Sequence, residues 1–161
     1  MYSTVLKIRE CDGHLVATVR GELDLVDAAA VATALMAAAD RQPRIVVDLA
    51  RLQFIDARGI GALARAREHA RRARGDLLLA APRPQTARLL ATAAMAYGFS
   101  VYASVAEAAG GFRALLSLTA PAASGPLAAR SGELRVEAGH AGREPGQDLL
   151  ADLVRDDLGV A

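Results

Sequence analysis

Arg44-Ile-Val-Val-Asp-Leu-Ala-Arg-Leu-Gln-Phe-Ile-Asp-Ala-Arg-Gly-Ile-Gly-Ala-Leu63 decides the reading of the fold. Ile45, Val46 and Val47 form a β-branched run, as a strand covered on both faces requires. The strand is predicted over Arg44 to Leu49, and Leu52, Phe54 and Ile55 carry the apolar character on to Asp56. Asp56 is placed to cap a helix opening at Ala57-Arg58-Gly59, because a short carboxylate accepts from the free N–H groups of a first turn. That helix is expected to run to about Arg74, where Gly75-Asp76 stops it. Gly59 and Gly61 are poor helix formers. Two of them so early imply that the backbone approaches something closely, or bends.

Upstream, Thr4 to Arg9 alternates Val5, Lys7 and Arg9 against Leu6 and Ile8, which suits a strand with one exposed side. Cys11-Asp-Gly-His14 is a hairpin signal, and Leu15 to Arg20 is the antiparallel return strand. Leu23 to Asp27 leads into a helix to about Ala39, with Asp24 or Asp27 as cap and Val31, Leu35 and Met36 on the apolar face. Downstream, Leu77 to Ala80 is a short buried strand. Pro84 opens a helix from Gln85 to about Met95, with Leu89 and Leu90 expected to face inward. Phe99 to Ala103 is a last strand, and Ser104-Val-Ala-Glu107 is a capping-box pattern opening a helix to about Leu118. The order β-β-α-β-α-β-α-β-α predicts an α/β domain with a mixed, mostly parallel sheet, an N-terminal antiparallel hairpin and about four helices.

The character changes at Thr119. Pro121-Ala-Ala-Ser-Gly-Pro126 is linker-like, and no aromatic residue follows Phe112. The division expected is a domain over 1–118 and a flexible tail over 119–161, disordered over 119–146 apart from a possible short strand at Glu133 to Val136. Asp148 to Leu158 can coil into a short amphipathic helix with Leu149, Leu150, Leu153 and Val154 on one side. Its other side carries Asp148, Asp152, Asp156 and Asp157.

Composition narrows the function classes. The chain has 161 residues, 53% hydrophobic and 23% charged, so it can bury a core, built mainly from Ala, Val, Leu and Ile because aromatics are only 4%. A net charge of +1 argues against the whole chain being a nucleic-acid binder. Cys11 is the one cysteine, which leaves no internal disulfide. The N-terminus lacks a signal-peptide pattern, and the longest apolar stretch, Ala28 to Ala39, is shorter than the roughly 20 residues that span a bilayer. A soluble cytoplasmic protein without membrane insertion is expected.

Phe54-Ile-Asp-Ala-Arg-Gly-Ile-Gly-Ala-Leu63 resembles the signature of STAS domains, the fold of bacterial anti-sigma factor antagonists. Arg20-Gly-Glu-Leu-Asp-Leu25 looks like the same family's element before its first helix. With the order of elements, the resemblance covers about residues 4 to 118. It implies a single STAS-like domain that binds a kinase-type anti-sigma factor and so acts on transcription indirectly, without being an enzyme. It also implies a partner face at Asp24, Asp56, Ala57, Arg58, Gly59, Ile60 and Arg65. In the family a hydroxyl directly after the Asp is phosphorylated by the partner kinase. Here that position is Ala57, which cannot carry a phosphate.

The residues themselves point the same way. For Cys11, His14, His69 and His140, nothing in the pattern places any of them beside a Ser or Cys as a nucleophile–base pair. Gly59-x-Gly61 lacks the rest of a phosphate-binding fingerprint. Asp24, Asp48 and Asp56 could gather at one end of the sheet around Mg²⁺, but carboxylates near helix starts are mostly caps, so neither metal nor cofactor is expected. Arg58, Arg65 and Arg72, seven apart, form one row along the helix, with Arg67, Arg71 and Arg74 adding charge. A solvated face explains such a row, and so does an acidic partner. The acidic segment at 148–158 is opposite in charge and can reach back over the domain. Two readings remain beside the antagonist: a non-switchable STAS module of a transporter or signalling complex, and a small-ligand or nucleotide sensor using the loop at Asp56 to Gly61.

Overall fold

Alternation along β3, Arg44–Ile55, explains the layering. Ile45 and Val47 point into the main core, while Val46 points to the opposite side of the sheet. All three are fully buried, so both sides of the sheet are covered at this strand. The computed structural model describes residues 4–119 and 133–137. Around β3 lie β1 (Val5–Cys11), β2 (His14–Leu23), β4 (Asp76–Ala80) and β5 (Val101–Tyr102). The helices are α1 (Ala28–Arg41), α2 (Ala57–Arg72), α3 (Pro84–Tyr97) and α4 (Val105–Thr119). A last strand, β6, spans Glu133–Glu137.

The sheet order is β5-β4-β3-β2-β1-β6. β2, β3, β4 and β5 run parallel, and β1 pairs antiparallel with β2 from Val5↔Arg20 to Cys11↔His14. Val31 and Leu35 of α1, Ile60 and Leu63 of α2, and Leu90 and Ala93 of α3 join one core with Leu6, Ile8, Ile45, Val47, Leu77 and Leu79. Ala108 and Phe112 of α4 cover Val46, Leu78 and Ala80 on the reverse side. Successive parallel strands joined by helices on one side are the outcome of right-handed crossovers. Ala28, Ala32 and Ala62 form a small cluster where α1 and α2 meet, since alanine lets backbones approach.

Several boundaries differ from the sequence expectation. β3 continues to Ile55 rather than ending at Leu49, because beyond Asp48↔Ala80 it outlasts β4 and pairs with β2 alone. That pairing is irregular, with register shifts between Thr18 and Arg20 and between Gly21 and Glu22. β5 shrinks to Val101–Tyr102. Leu89 is 49% exposed whereas Leu90 is buried, because the buried row of α3 is Thr86, Leu90 and Ala93. The capping-box pattern at α4 forms with one shift: Ser104 Oγ accepts from the Glu107 amide at 3.1 Å, and the Glu107 carboxylate accepts at 3.2 Å from the Ala103 amide, one residue before the cap. β6 lies at the strand expected at Glu133 to Val136, inside the stretch otherwise assigned to disorder. It pairs antiparallel with β1 from Val5↔Glu137 to Arg9↔Glu133. The linker at Pro121 to Pro126 and the acidic helix at Asp148 to Leu158 lie outside the described residues.

One charge of α2 belongs to the interior. Arg67 is only 8% exposed. Its Nε donates to Asp76 Oδ1 at 2.8 Å and its Nη2 to Asp76 Oδ2 at 3.3 Å, a bidentate pair. Nη1 donates to the Tyr97 carbonyl at 2.8 Å. One guanidinium thus ties α2 to the start of β4 and the end of α3. The sequence counted Arg67 toward the basic charge of the helix, and the structure takes it out of the exposed charge. Asp76→Ala leaves this guanidinium buried without its counter-charge, and we expect a loss of about 3 kcal/mol in urea unfolding. Glu68→Ala, which breaks only an exposed pair with Arg72 at 3.4 Å, is expected to cost less than about 0.5 kcal/mol.

Candidate functional site

Two connections meet at the carboxyl end of the parallel strands, where open α/β sheets commonly place their functional loops. The first joins β2 to α1 through Asp24, Leu25, Val26 and Asp27. The second is the junction of β3 and α2 at Asp56. The Asp56 amide donates to the Leu23 carbonyl at 3.2 Å, which stitches the two together.

Asp56 caps α2 as expected. Its backbone is extended, at φ −103° and ψ −177°, and its Oδ1 accepts from the Gly59 amide at 2.8 Å. The two glycines have different roles. A Cβ on Gly59 would overlap the Leu23 carbonyl and lie 2.8 Å from Ile55 Cγ1 and 2.9 Å from Leu23 Cγ. Glycine is therefore required for α2 to sit against the end of β2. A Cβ on Gly61 would meet nothing within 4 Å. The expected close approach belongs to Gly59 alone.

Neither Asp24 nor Asp27 caps α1 with its side chain. Asp24 Oδ1 accepts from the Val26 amide at 2.9 Å, folding the loop on itself, and the Asp24 carbonyl accepts from Ala28 at 2.8 Å. Asp27 is the N-cap residue, yet its carboxylate turns outward to accept from the Thr4 amide at 3.2 Å. Thr4 Oγ1 in turn donates to the Glu22 carbonyl. Asp48 accepts from the Ala50 amide at 3.0 Å. The three aspartates weighed for Mg²⁺ thus each serve nearby backbone amides. Among the described residues, no group of three or more His, Cys, Asp or Glu is placed to hold a metal ion.

Of the residues proposed for a partner face, Ala57, Arg58 and Arg65 are exposed, and Asp24 and Asp56 are half-buried. Gly59 and Ile60 are buried, so they hold the face in place rather than form it. The row Arg58, Arg65 and Arg72 is exposed along its length. His69 is not beside a nucleophile: its Nε2 lies 2.6 Å from Asp40 Oδ1, linking α2 to α1. His14 is buried against Phe112, with ring centroids 6.4 Å apart.

The sequence reading missed two features. Leu25 and Val26 are 62% and 63% exposed, and Phe54, at the end of β3, is 50% exposed. Large apolar side chains left in solvent at a charged loop suit a protein partner. The only signal in the sequence is an apolar pair set between Asp24 and Asp27. The second feature is an open groove of about 540 Å³ between α2 and the end of α3. Gly61, Ala64 and Ala96 give it a small apolar lining, and Arg65 and Arg71 stand in it with Glu68. No helix among the described residues is long and apolar enough to cross a membrane.

Comparison with known proteins places this geometry. A family model for the STAS domain matches residues 6–108. An anti-sigma factor antagonist from Mycobacterium paratuberculosis has 27% sequence identity and a TM-score of 0.58, over 70% of this chain and 95% of that one. SpoIIAA, an anti-sigma factor antagonist solved in its unphosphorylated form, superposes at 0.58 with 19% identity, over 68% of this chain and 96% of that one. The murine anion transporter Slc26a9 superposes at 0.57 with 12% identity, over 71% of this chain and 23% of that one. These last two identities speak for the fold alone. A search of curated proteins finds no match.

The junction at Asp56 gives two opposed predictions. Gly59→Ala should lower stability by about 2–4 kcal/mol, because a methyl must displace the Leu23 backbone. Gly61→Ala should raise it by up to about 1 kcal/mol through helix propensity. Thermal unfolding of the two variants checks both signs.

Proposed function

Because this chain belongs to the STAS domain family, we propose that it acts as an anti-sigma factor antagonist, a binding domain that docks on a kinase-type anti-sigma factor. The observation that carries the reading is the carboxyl-end surface itself. Exposed Leu25 and Val26 stand in the loop whose end is bonded to Asp56, and exposed Ala57 and Arg58 open the adjoining helix. Apolar side chains beside a fixed positive charge suit a protein partner carrying acidic groups, with the charge setting register and on-rate. The solved antagonist at 27% identity, matched over 95% of its length, supports that partner class. The contact surface proposed is Asp24, Asp56, Ala57, Arg58 and Arg65 together with Leu25 and Val26, supported from beneath by Gly59 and Ile60.

Ala57 makes the binding constitutive. A phosphorylated hydroxyl at the first position of α2 would place nearly two negative charges and three acceptor oxygens in the contact surface. An alanine there offers no acceptor for phosphate, so the partner's kinase activity has no target at this position. The protein then withholds the anti-sigma factor without a phosphorylation step to end the complex. Cytoplasmic action follows from this partner class.

Affinity purification of the tagged protein from its own cells tests the reading. Wild type should bring down an ATPase-fold anti-sigma factor, and Arg58→Glu should lose it. Recovery of transporter or scaffold subunits instead would favour the module reading and end the sigma-factor one. Ala57→Asp sharpens the test: a carboxylate in the first turn of a helix is neutral or stabilising by about 0.3–1 kcal/mol. Melting temperature should hold while partner affinity falls at least about tenfold, the loss of about 1.4 kcal/mol expected for a buried like charge or desolvated carboxylate.

A further inference from the structure

Beyond Asp48, which pairs with Ala80, the last residues of β3 lie beside β2 alone. The register there shifts between Thr18 and Arg20 and again between Gly21 and Glu22, and Gly21 has a φ of +88°. Irregularities of this kind re-aim side chains and gather near functional sites. Here they set Arg20 opposite Arg51 and Glu22 opposite Phe54. Val19, Leu23, Leu52 and Ile55 point into the main core, so by alternation Arg20, Glu22, Arg51 and Phe54 stand on the reverse side of the sheet. The α4 cover on that side reaches Val46, Leu78 and Ala80 and leaves Arg20, Arg51 and Phe54 exposed.

Two arginines opposite each other on neighbouring strands, about 4.8 Å apart at the backbone, repel each other and weaken the sheet. Among the described residues, neither the Arg20 nor the Arg51 side chain makes a hydrogen bond or ion pair. Arg83 adds a third guanidinium. Its Nε donates to the Ala50 carbonyl at 3.3 Å, on the edge of β3 that β4 leaves uncovered, which holds it beside the residue before Arg51. Arg51 is therefore flanked by Arg20 on one side and Arg83 on the other. Two carboxylates lie nearby. Asp48, one row back, accepts from the Ala50 amide at 3.0 Å and from the Thr18 hydroxyl at 3.5 Å. Glu22 shares the face with Arg20, two residues along β2. Neither forms an ion pair with the three guanidinium groups. The fold thus carries a like-charged row that it does not neutralise by contact.

We propose that Arg20, Arg51 and Arg83 form a binding site for a phosphomonoester, with the organic part of the ligand lying on Phe54. A carboxylate is satisfied by one arginine fork. A phosphate carries nearly two negative charges and three acceptor oxygens, enough to bridge two or three guanidinium groups and to cancel their repulsion. The half-exposed Phe54 ring supplies an apolar face on the same side of the strand. The chemistry is the same for a soluble phosphate ester and for a phosphomonoester lipid headgroup. The site lies across the sheet from α2 and does not rest on the function proposed above.

Phenyl phosphate and inorganic phosphate, titrated into the full chain and followed by amide spectra, test it. Phenyl phosphate should move the amides of Arg20, Gly21, Arg51 and Phe54 with a Kd in the millimolar range. Phe54→Ala should weaken phenyl phosphate and leave inorganic phosphate unchanged. Arg51→Glu puts a carboxylate between Arg20 and Arg83. It should weaken both probes at least about tenfold and, without ligand, raise Tm by about 2 °C. A variant that melts higher and binds less has not lost binding through misfolding. Arg71→Glu, an equally exposed arginine on the other side of the sheet, should bind like wild type. Sedimentation with phosphatidylcholine vesicles carrying phosphatidic acid separates the two sources. Vesicle binding that Arg51→Glu abolishes assigns the phosphate to a lipid headgroup, and phenyl phosphate binding without vesicle binding assigns it to a soluble ester. No shift at the four amides, unchanged binding in Arg51→Glu, or an equal loss in Arg71→Glu would overturn the inference.

Discussion

The close approach of α2 to the end of β2 is the constraint on which the carboxyl end of this domain depends. Two hydrogen bonds and one steric fit converge there. The Asp56 amide reaches the Leu23 carbonyl, the Asp56 carboxylate holds the Gly59 amide, and Gly59 lacks the Cβ that would collide with Leu23. Each of the two hydrogen bonds would be weak alone, of the order of 1 kcal/mol. Together they set where the first turn of α2 stands relative to the β2–α1 loop, and therefore where Ala57 and Arg58 stand relative to Leu25 and Val26. The surface proposed for the partner is made by this junction, from side chains whose only shared property is their attachment to it.

The arginines of α2 divide between two tasks that composition does not separate. Arg67 is buried and spends its donors on Asp76 and the Tyr97 carbonyl, so it is a structural crosslink among three elements. Arg58, Arg65, Arg71 and Arg72 face solvent. A buried ion pair is costly to break and poor at raising net stability, but it fixes one arrangement of the elements it joins. It thereby holds α3 against α2, the two helices that line the groove. The neighbouring His69–Asp40 contact at 2.6 Å adds a lighter tie between α2 and α1.

Ala57 is part of the same junction. Ala57 follows the capping aspartate and precedes the glycine that allows the close approach. An alanine there suits the fold, since alanine is the best helix former and this exposed first-turn side chain makes no demand on the core.

The sequence by itself determined the layer order, because period-2 alternation, β-branched runs and caps are local properties. Ile45 to Val47, the Asp56 cap, the Ser104–Glu107 box and the Asp-Gly hairpin were all legible for that reason. It also exposed the glycine anomaly at 59 and 61, without saying which one mattered. Only the tertiary structure decided that, since a close approach is set by what lies opposite, here the end of β2. The same holds for Arg67, whose burial depends on Asp76 and Tyr97 from other elements, and for Leu89, which a one-residue rotation of α3 leaves outside. β6 was visible as a faint strand, but its partner and direction were not, because antiparallel addition to β1 is a pairing across more than a hundred residues. Local chemistry writes elements into a sequence, whereas their meeting points arise only when the whole chain is packed.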